Sequence, residues 1–304
     1  MRRTFILLAL ASPAALPADP LAAQPPAKEQ EKAKEKEKVD MTAVLGKDTV
    51  VKADVAFGKD DKQRLDVYHP KTGAGCPVVV FVHRGEWTTG DKSEVSFKPK
   101  FLNENGVVFI STNYRLYPAA RFPAHAEDVA AAVRWAVDHA PEFGGDPKKV
   151  VLMGHSAGCH LSTLVALDPK YLAAVKLTPR DVRGVVAWSG GAYDLVAKVA
   201  EGGSYKQHIT NAFGPDEAVW RDCSPVTHAK NAAPTTPFLF TSYEKGSNAN
   251  LAAERMAGAV RTAGGKADVV VLENRTHTTA IHLVGAPGDT TGALLLNFVR
   301  DVTK

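Results

Sequence analysis

Cysteine is scarce in this chain and too widely spaced to staple it. Cys76, Cys159 and Cys223 are the three among 304 residues. An odd number at such intervals is no disulfide framework. At most one bridge can form, and Cys159, inside an expected helix, reads as a small packed residue. The cysteines do not cluster, and the ten histidines include no H-E-x-x-H run. No metal-ligand pattern is therefore present, and no cofactor is implied. Net charge is also small. A formal +4, much of it local and balanced, leaves no footprint for a nucleic-acid partner. Beyond the first residues no apolar run is long enough to span a bilayer. Internal repeats are missing as well.

What is present suits one large globular domain with extensions: 45% of the residues are hydrophobic, ample for a core. Residues 1–23 read as a signal peptide. Arg2 and Arg3 precede an apolar run from Phe5 to Leu16, and Leu21-Ala22-Ala23 supplies small residues for cleavage before Gln24. Secretion or periplasmic export is the expectation, and Arg2-Arg3-x-Phe5 touches the twin-arginine pattern. The alternative is an uncleaved anchor. Pro13 and Pro17 break the run, which argues against stable membrane insertion. Residues 24–40 carry five lysines and four glutamates with no apolar face, the composition of a solvated charged linker. The domain proper is expected over 41–304.

Within it, Val50–Phe57 and Arg64–Tyr68 read as an antiparallel edge pair joined by a turn at Gly58-Lys59-Asp60-Asp61. The β-branched run 78–82 belongs in the middle of a parallel sheet. From there the pattern alternates. Helices are expected over 97–104, 126–139, 161–167, 249–263 and 292–302. Strands are expected over 107–111, 150–153, 185–188, 238–241 and 269–272. This is the α/β class, a mostly parallel sheet covered by helices on both faces. Residues 191–236 break the rhythm and read as a cap-like insert over the strands' C-terminal edge, where sites in such sheets form.

Chemistry concentrates at 150–167. A short apolar strand turns at Gly154-His155-Ser156-Ala157-Gly158 and leaves as an amphipathic helix, the context of a G-x-S-x-G nucleophile elbow. The glycines let strand and helix approach while Ser156 sits strained, beside the amides and positive dipole end of the helix. A serine hydroxyl needs a base to take its proton, and histidine has the suitable pKa. Of the histidines after Ser156, His160 lies in the elbow helix itself and His208 and His228 lie in the insert. His277 follows the last strand on the same rim as Ser156 and is the expected base; His282 is the second choice. The amide of Ala157 is the expected oxyanion donor. Asp128 and Trp135 read as structural, the former as a cap or ion-pair partner and the latter as core.

The loop His83-Arg84-Gly85-Glu86-Trp87-Thr88-Thr89-Gly90-Asp91-Lys92 resembles the oxyanion segment of lipase/carboxylesterase-type α/β hydrolases, a group with acetyl-xylan-esterase and kynurenine-formamidase-like branches. Asn113-Tyr114-Arg115-Leu116, Phe122-Pro123-Ala124 and Asp128 resemble that family's next block, the 154–161 stretch its elbow, and Arg275-Thr276-His277 its histidine loop. The resemblance implies the α/β-hydrolase fold, and Gly85 and Glu86 as further oxyanion amides. This chain departs from the family at Arg84, which stands where the family has glycine, and at Glu86, a position that is often glycine but variable. A salt-bridged Arg84–Glu86 pair and a role in binding a charged substrate are both open. It departs again at Gly246, where the family has the triad aspartate. Glu244 is then the expected acid, Asp194 the second candidate, and a Ser–His dyad the remaining possibility.

The expected function is a serine hydrolase cleaving a small-molecule or polysaccharide carboxylic ester through an acyl-enzyme on Ser156. Two alternatives stay open: a formamide or amide hydrolase, and a non-catalytic hydrolase-like binding scaffold.

Overall fold

The computed structural model describes residues 45–304, so the expected signal peptide 1–23 and charged linker 24–40 lie outside the described residues. The described strands are β1 (Thr49–Ala56), β2 (Arg64–Pro70), β3 (Cys76–Val82), β4 (Val108–Thr112), β5 (Gly145–His155), β6 (Gly184–Trp188), β7 (Phe238–Ser242) and β8 (Ala267–Val271). They form one eight-stranded sheet in the order β1-β2-β4-β3-β5-β6-β7-β8. β2 runs antiparallel to β1 and β4, and every other pairing is parallel.

The unbroken apolar runs are explained by burial on both faces. In β3, Val78, Val80 and Val82 pack into one cluster, while Val79 and Phe81 pack into the other. Strands β5 and β6 repeat the alternation, with Leu152 and Val185 on one side, Met153 and Val186 on the other. Burying each such side chain contributes roughly 1.5–3 kcal/mol. The expected antiparallel pair stands at one edge of the sheet, with β1 outermost and β2 joining it to β4, where Leu65 and Val67 are fully buried.

The helices are α1 (Lys98–Glu104), α2 (Ala124–His139), α3 (Ala157–Leu167), α4 (Pro169–Ala174), α5 (Leu195–Ala200), α6 (Ser204–Phe213), α7 (Glu217–Asp222), α8 (Asn248–Thr262), α9 (Thr279–His282) and α10 (Thr291–Val302). One face of the sheet is covered by α2, α3 and α8, the other by α1 and α10. α2 shows why: Ala126, Val129, Ala130 and Val133 recur at helical spacing and all are buried. α3 differs from the expected amphipathic helix. It starts at Ala157, and all its residues are buried, because other helices pack on the side away from the sheet.

Residues 191–236 are more regular than their composition indicates. α5 begins where the Asp194 carboxylate accepts from the Ala197 amide (3.0 Å), and α7 where Asp216 accepts from Ala218 (2.8 Å). Between them α6 buries Ile209, Ala212 and Phe213. Asp128 accepts from the Arg115 backbone amide (2.8 Å) and guanidinium (2.7 Å) and from Gln63 (2.7 Å), tying the chain after β4 to α2. Trp135, expected in the core, is only partly buried and stacks on His139.

Candidate active site

Ser156 stands between β5 and α3 at φ 55°, ψ −115°, a conformation that costs a non-glycine residue roughly 1–3 kcal/mol. The flanking glycines make it possible. A Cβ on Gly154 would come within 2.1 Å of the Gly158 carbonyl oxygen, and one on Gly158 within 2.1 Å of the Val82 carbonyl oxygen. α3 therefore rests against the ends of β3 and β5 at backbone contact, which aims its N-terminal amides at the serine.

The chain after β3 makes the second wall. Gly85, Glu86 and Trp87 all have positive φ. A Cβ on Gly85 would strike the Thr89 carbonyl oxygen at 2.0 Å. The Gly85 carbonyl accepts the amides of Thr88 and Thr89, each at 2.9 Å. The loop's far end is anchored underneath: Asn113 accepts from the Lys92 amide (2.6 Å) and donates to Asp91 (3.0 Å), and Lys92 Nζ reaches Asp66 at 2.7 Å. Trp87 is buried, edge-on to both His160 and Phe213. The open Arg84–Glu86 salt bridge is not what the side chains adopt. Arg84 Nε bonds Glu94 at 3.1 Å, and Glu86 turns outward to His208 Nε2 at 3.0 Å. The two carboxylates thus have separate partners, that of Glu86 on α6.

His277, in the loop between β8 and α9, borders the same cavity as Ser156. Burial and, secondarily, the Arg84 charge hold its pKa below the ordinary histidine value, so the ring is kept neutral. Its Nδ1 lies 3.1 Å from Ser189 Oγ, and its carbonyl oxygen lies 3.1 Å from His155 Nε2. The Tyr243 ring stands edge-on at 5.7 Å. Arg275 pairs with Asp289 at 2.9 Å and pins the loop.

Neither expected acid reaches His277. Glu244 is exposed: β7 ends at Ser242, and in the bend that follows it is Tyr243 that packs against the imidazole. Asp194 is spent on capping α5 and borders a separate small pocket. Gly246 is exposed at φ 75°. The other histidines are placed elsewhere. His160 is buried with Nε2 2.8 Å from the Cys223 carbonyl oxygen, and His282 lies beside Arg84, Glu94 and His155, outside the cavity. His228 groups with Asp168 and Asp222, but Lys170 Nζ already bridges those carboxylates at 2.8 and 3.0 Å. The cysteines are free thiols.

The cavity has a volume of about 290 Å³. Glu86, Trp87, Ser156, Ala157 and His277 all line it. Gly85 is not among the lining residues; it shapes the turn through its carbonyl bonds to Thr88 and Thr89. Lys198 and Tyr205, from the 191–236 segment, close the cavity with Tyr243. Spacing along the chain does not single out these last three or Ser189. One general signal could have flagged Ser189: it directly follows a parallel strand at the C-terminal edge. The arrangement places a strained hydroxyl, a neutral imidazole and amides at a helix N-terminus around one small space, the set that acyl transfer requires.

A family model described as BD-FAE matches residues 65–245. The chain is 28% identical over 243 residues to the probable isoprenylcysteine alpha-carbonyl methylesterase ICMEL1 of Arabidopsis thaliana, covering 75% of this chain and 51% of that protein. It is 32% identical over 197 residues to the esterase LipC of Mycobacterium tuberculosis, covering 61% and 48%. This chain spans about half the length of the curated relatives it matches. Esterase B of Lactobacillus rhamnosis, solved with an inhibitor, superimposes with a TM-score of 0.73 at 18% identity, over 91% of this chain and 93% of that one. That likeness carries the fold alone, the α/β-hydrolase fold.

Proposed function

The chain belongs to the BD-FAE family, and on that premise we propose that it is a serine hydrolase of carboxylic esters. The observation that carries the reading is the cavity shared by Ser156, on its strained turn, and His277. Ser156 Oγ attacks the ester carbonyl carbon while His277 Nε2 takes its proton. The tetrahedral oxyanion is met by the Ala157 and Glu86 amides, with Gly85 setting the turn that aims the latter. Collapse expels the alcohol, protonated by the imidazolium. Water then attacks the acyl-enzyme with His277 as base, releasing the carboxylic acid and restoring Ser156.

A space of about 290 Å³ supports a small ester over a long-chain one. Export rests on the sequence of residues 1–23 alone. That no carboxylate among the described residues bonds His277 is the observation favouring a non-catalytic scaffold. A fluorophosphonate probe together with p-nitrophenyl acetate and an aryl formamide separates the readings. Labelling and ester turnover that vanish in Ser156→Ala support the esterase. Turnover of the formamide alone shifts the assignment to amide hydrolysis. Folded protein that is neither labelled nor active is a scaffold.

A further inference from the structure

We propose that Ser189 stands in for the triad acid, as the positioning residue of His277. The inference rests on the esterase reading above and adds how its base is oriented. The geometry is local and built. Ser189 follows β6 directly, is 1% exposed, and is held at φ 61°, a left-handed conformation unusual for serine. Its amide donates to the Thr241 carbonyl oxygen (3.1 Å) and to Thr241 Oγ1 (2.9 Å), so β7 fixes the residue. The result of that constraint is Oγ at 3.1 Å from His277 Nδ1.

A general base at Ser156 needs its Nε2 lone pair free, hence the proton on Nδ1. In that tautomer Nδ1–H donates to Ser189 Oγ, and the imidazole is locked in both tautomer and ring orientation. A hydroxyl does half of what a carboxylate does. It orients the ring but brings no charge to stabilise the imidazolium. The other groups against the ring among the described residues are His155 at 4.7 Å between centroids and Tyr243 at 5.7 Å; Arg84 acts on it through its charge, and the one carboxylate lining the same cavity, Glu86, is engaged by His208 at 3.0 Å. Glu244, exposed, and Asp194, engaged at α5, leave the position to Ser189.

The test measures ester turnover against pH in wild type and in Ser189→Ala, Ser189→Gly, Ser189→Asn and Ser189→Asp, with folding followed by circular dichroism. The glycine variant removes the hydroxyl while relieving the backbone, so its loss cannot be strain. Ala and Gly are expected to lower kcat about tenfold or more with KM little changed, the loss of one orienting hydrogen bond. Asn, which tolerates left-handed backbone and offers an acceptor, is expected to recover part of it. Asp is expected to move the acidic limb of the pH profile upward, because an adjacent carboxylate favours the imidazolium. An unmoved limb would mean that position 189 does not face the ring, and the split between kcat and KM in Ala and Gly is what a merely structural serine would not produce. Folded Ala and Gly variants within twofold of wild-type kcat overturn the proposal. So does a folded Asp variant with an unmoved limb; should Asp not fold, the Ala and Gly pair decides. Ser156→Ala run alongside tests the esterase reading separately: its inactivity with indifferent Ser189 variants removes this inference alone.

Discussion

His155 Nε2 lies 3.1 Å from the carbonyl oxygen of His277, with the two rings 4.7 Å apart. The residue before the nucleophile thus holds the loop that carries the base. Burial first, and the neighbouring His277 second, push the His155 pKa well down, so this imidazole stays neutral. Protonated on Nε2, it donates to that carbonyl. His155→Phe keeps the ring volume and removes the donor. It should lower kcat by roughly tenfold and stability by about 1 kcal/mol, the loss of one part-buried hydrogen bond. Thermal unfolding and steady-state kinetics check this; an unchanged kcat would show that the loop holds without the bond.

Turnover should depend on pH through His277. The base works when neutral, and its pKa is held down by burial and by Arg84. Activity should therefore persist below the usual histidine midpoint of about 6.5 and fall only at more acidic pH. Arg84→Gln removes a cation and frees the carboxylate of Glu94, its partner at 3.1 Å. Both changes favour the imidazolium, so the acidic limb of kcat/KM should move upward. A limb that stays in place would mean that Arg84 is screened from the ring.

Stability should fall with acid well above the carboxylate range. Burial pushes His125 and His160 down to about 4, and lowers His83 and His155 as well. The unfolded chain takes protons on these rings near pH 6.5 while the folded one refuses them. Folding stability is therefore fully present above about pH 6.5 and declines toward pH 4. His125 and His160 each contribute a loss on the order of 3 kcal/mol once the pH is below both of their values. Urea midpoints between pH 7 and pH 4.5 measure it, and a flat profile would contradict the burial of these rings.

Glycine to alanine inside a helix ordinarily stabilises by up to about 1 kcal/mol. Gly158→Ala should do the reverse, costing on the order of 3 kcal/mol or more. Its Cβ would meet the Val82 carbonyl oxygen at 2.1 Å and the His83 carbonyl oxygen at 2.9 Å, backbone atoms that cannot swing aside. Urea denaturation of the purified variant gives the value directly. Stability equal to wild type would mean that α3 does not rest on β3 at backbone contact.

Much of this molecule could be read along the chain because its signals are local. The run 78–82 is valine-rich because it is buried on both faces, and Gly154-x-Ser156-x-Gly158 marks a turn whose tightness depends on near neighbours. Helix and strand periods likewise arise within a few residues, so the expected elements fall within a few positions of those observed. Partnerships between loops are another matter. Glu86 meets His208, Arg84 meets Glu94, and His277 meets Ser189 across 88 residues of chain. Nearness to the family's acid position at Gly246 favoured Glu244 for that last contact, but the bend after β7 leaves Glu244 exposed and packs Tyr243 against the ring. Such contacts depend on strand order, crossover and the angle at which each strand ends. Those quantities arise from packing the whole sheet, and no stretch of residues carries them by itself.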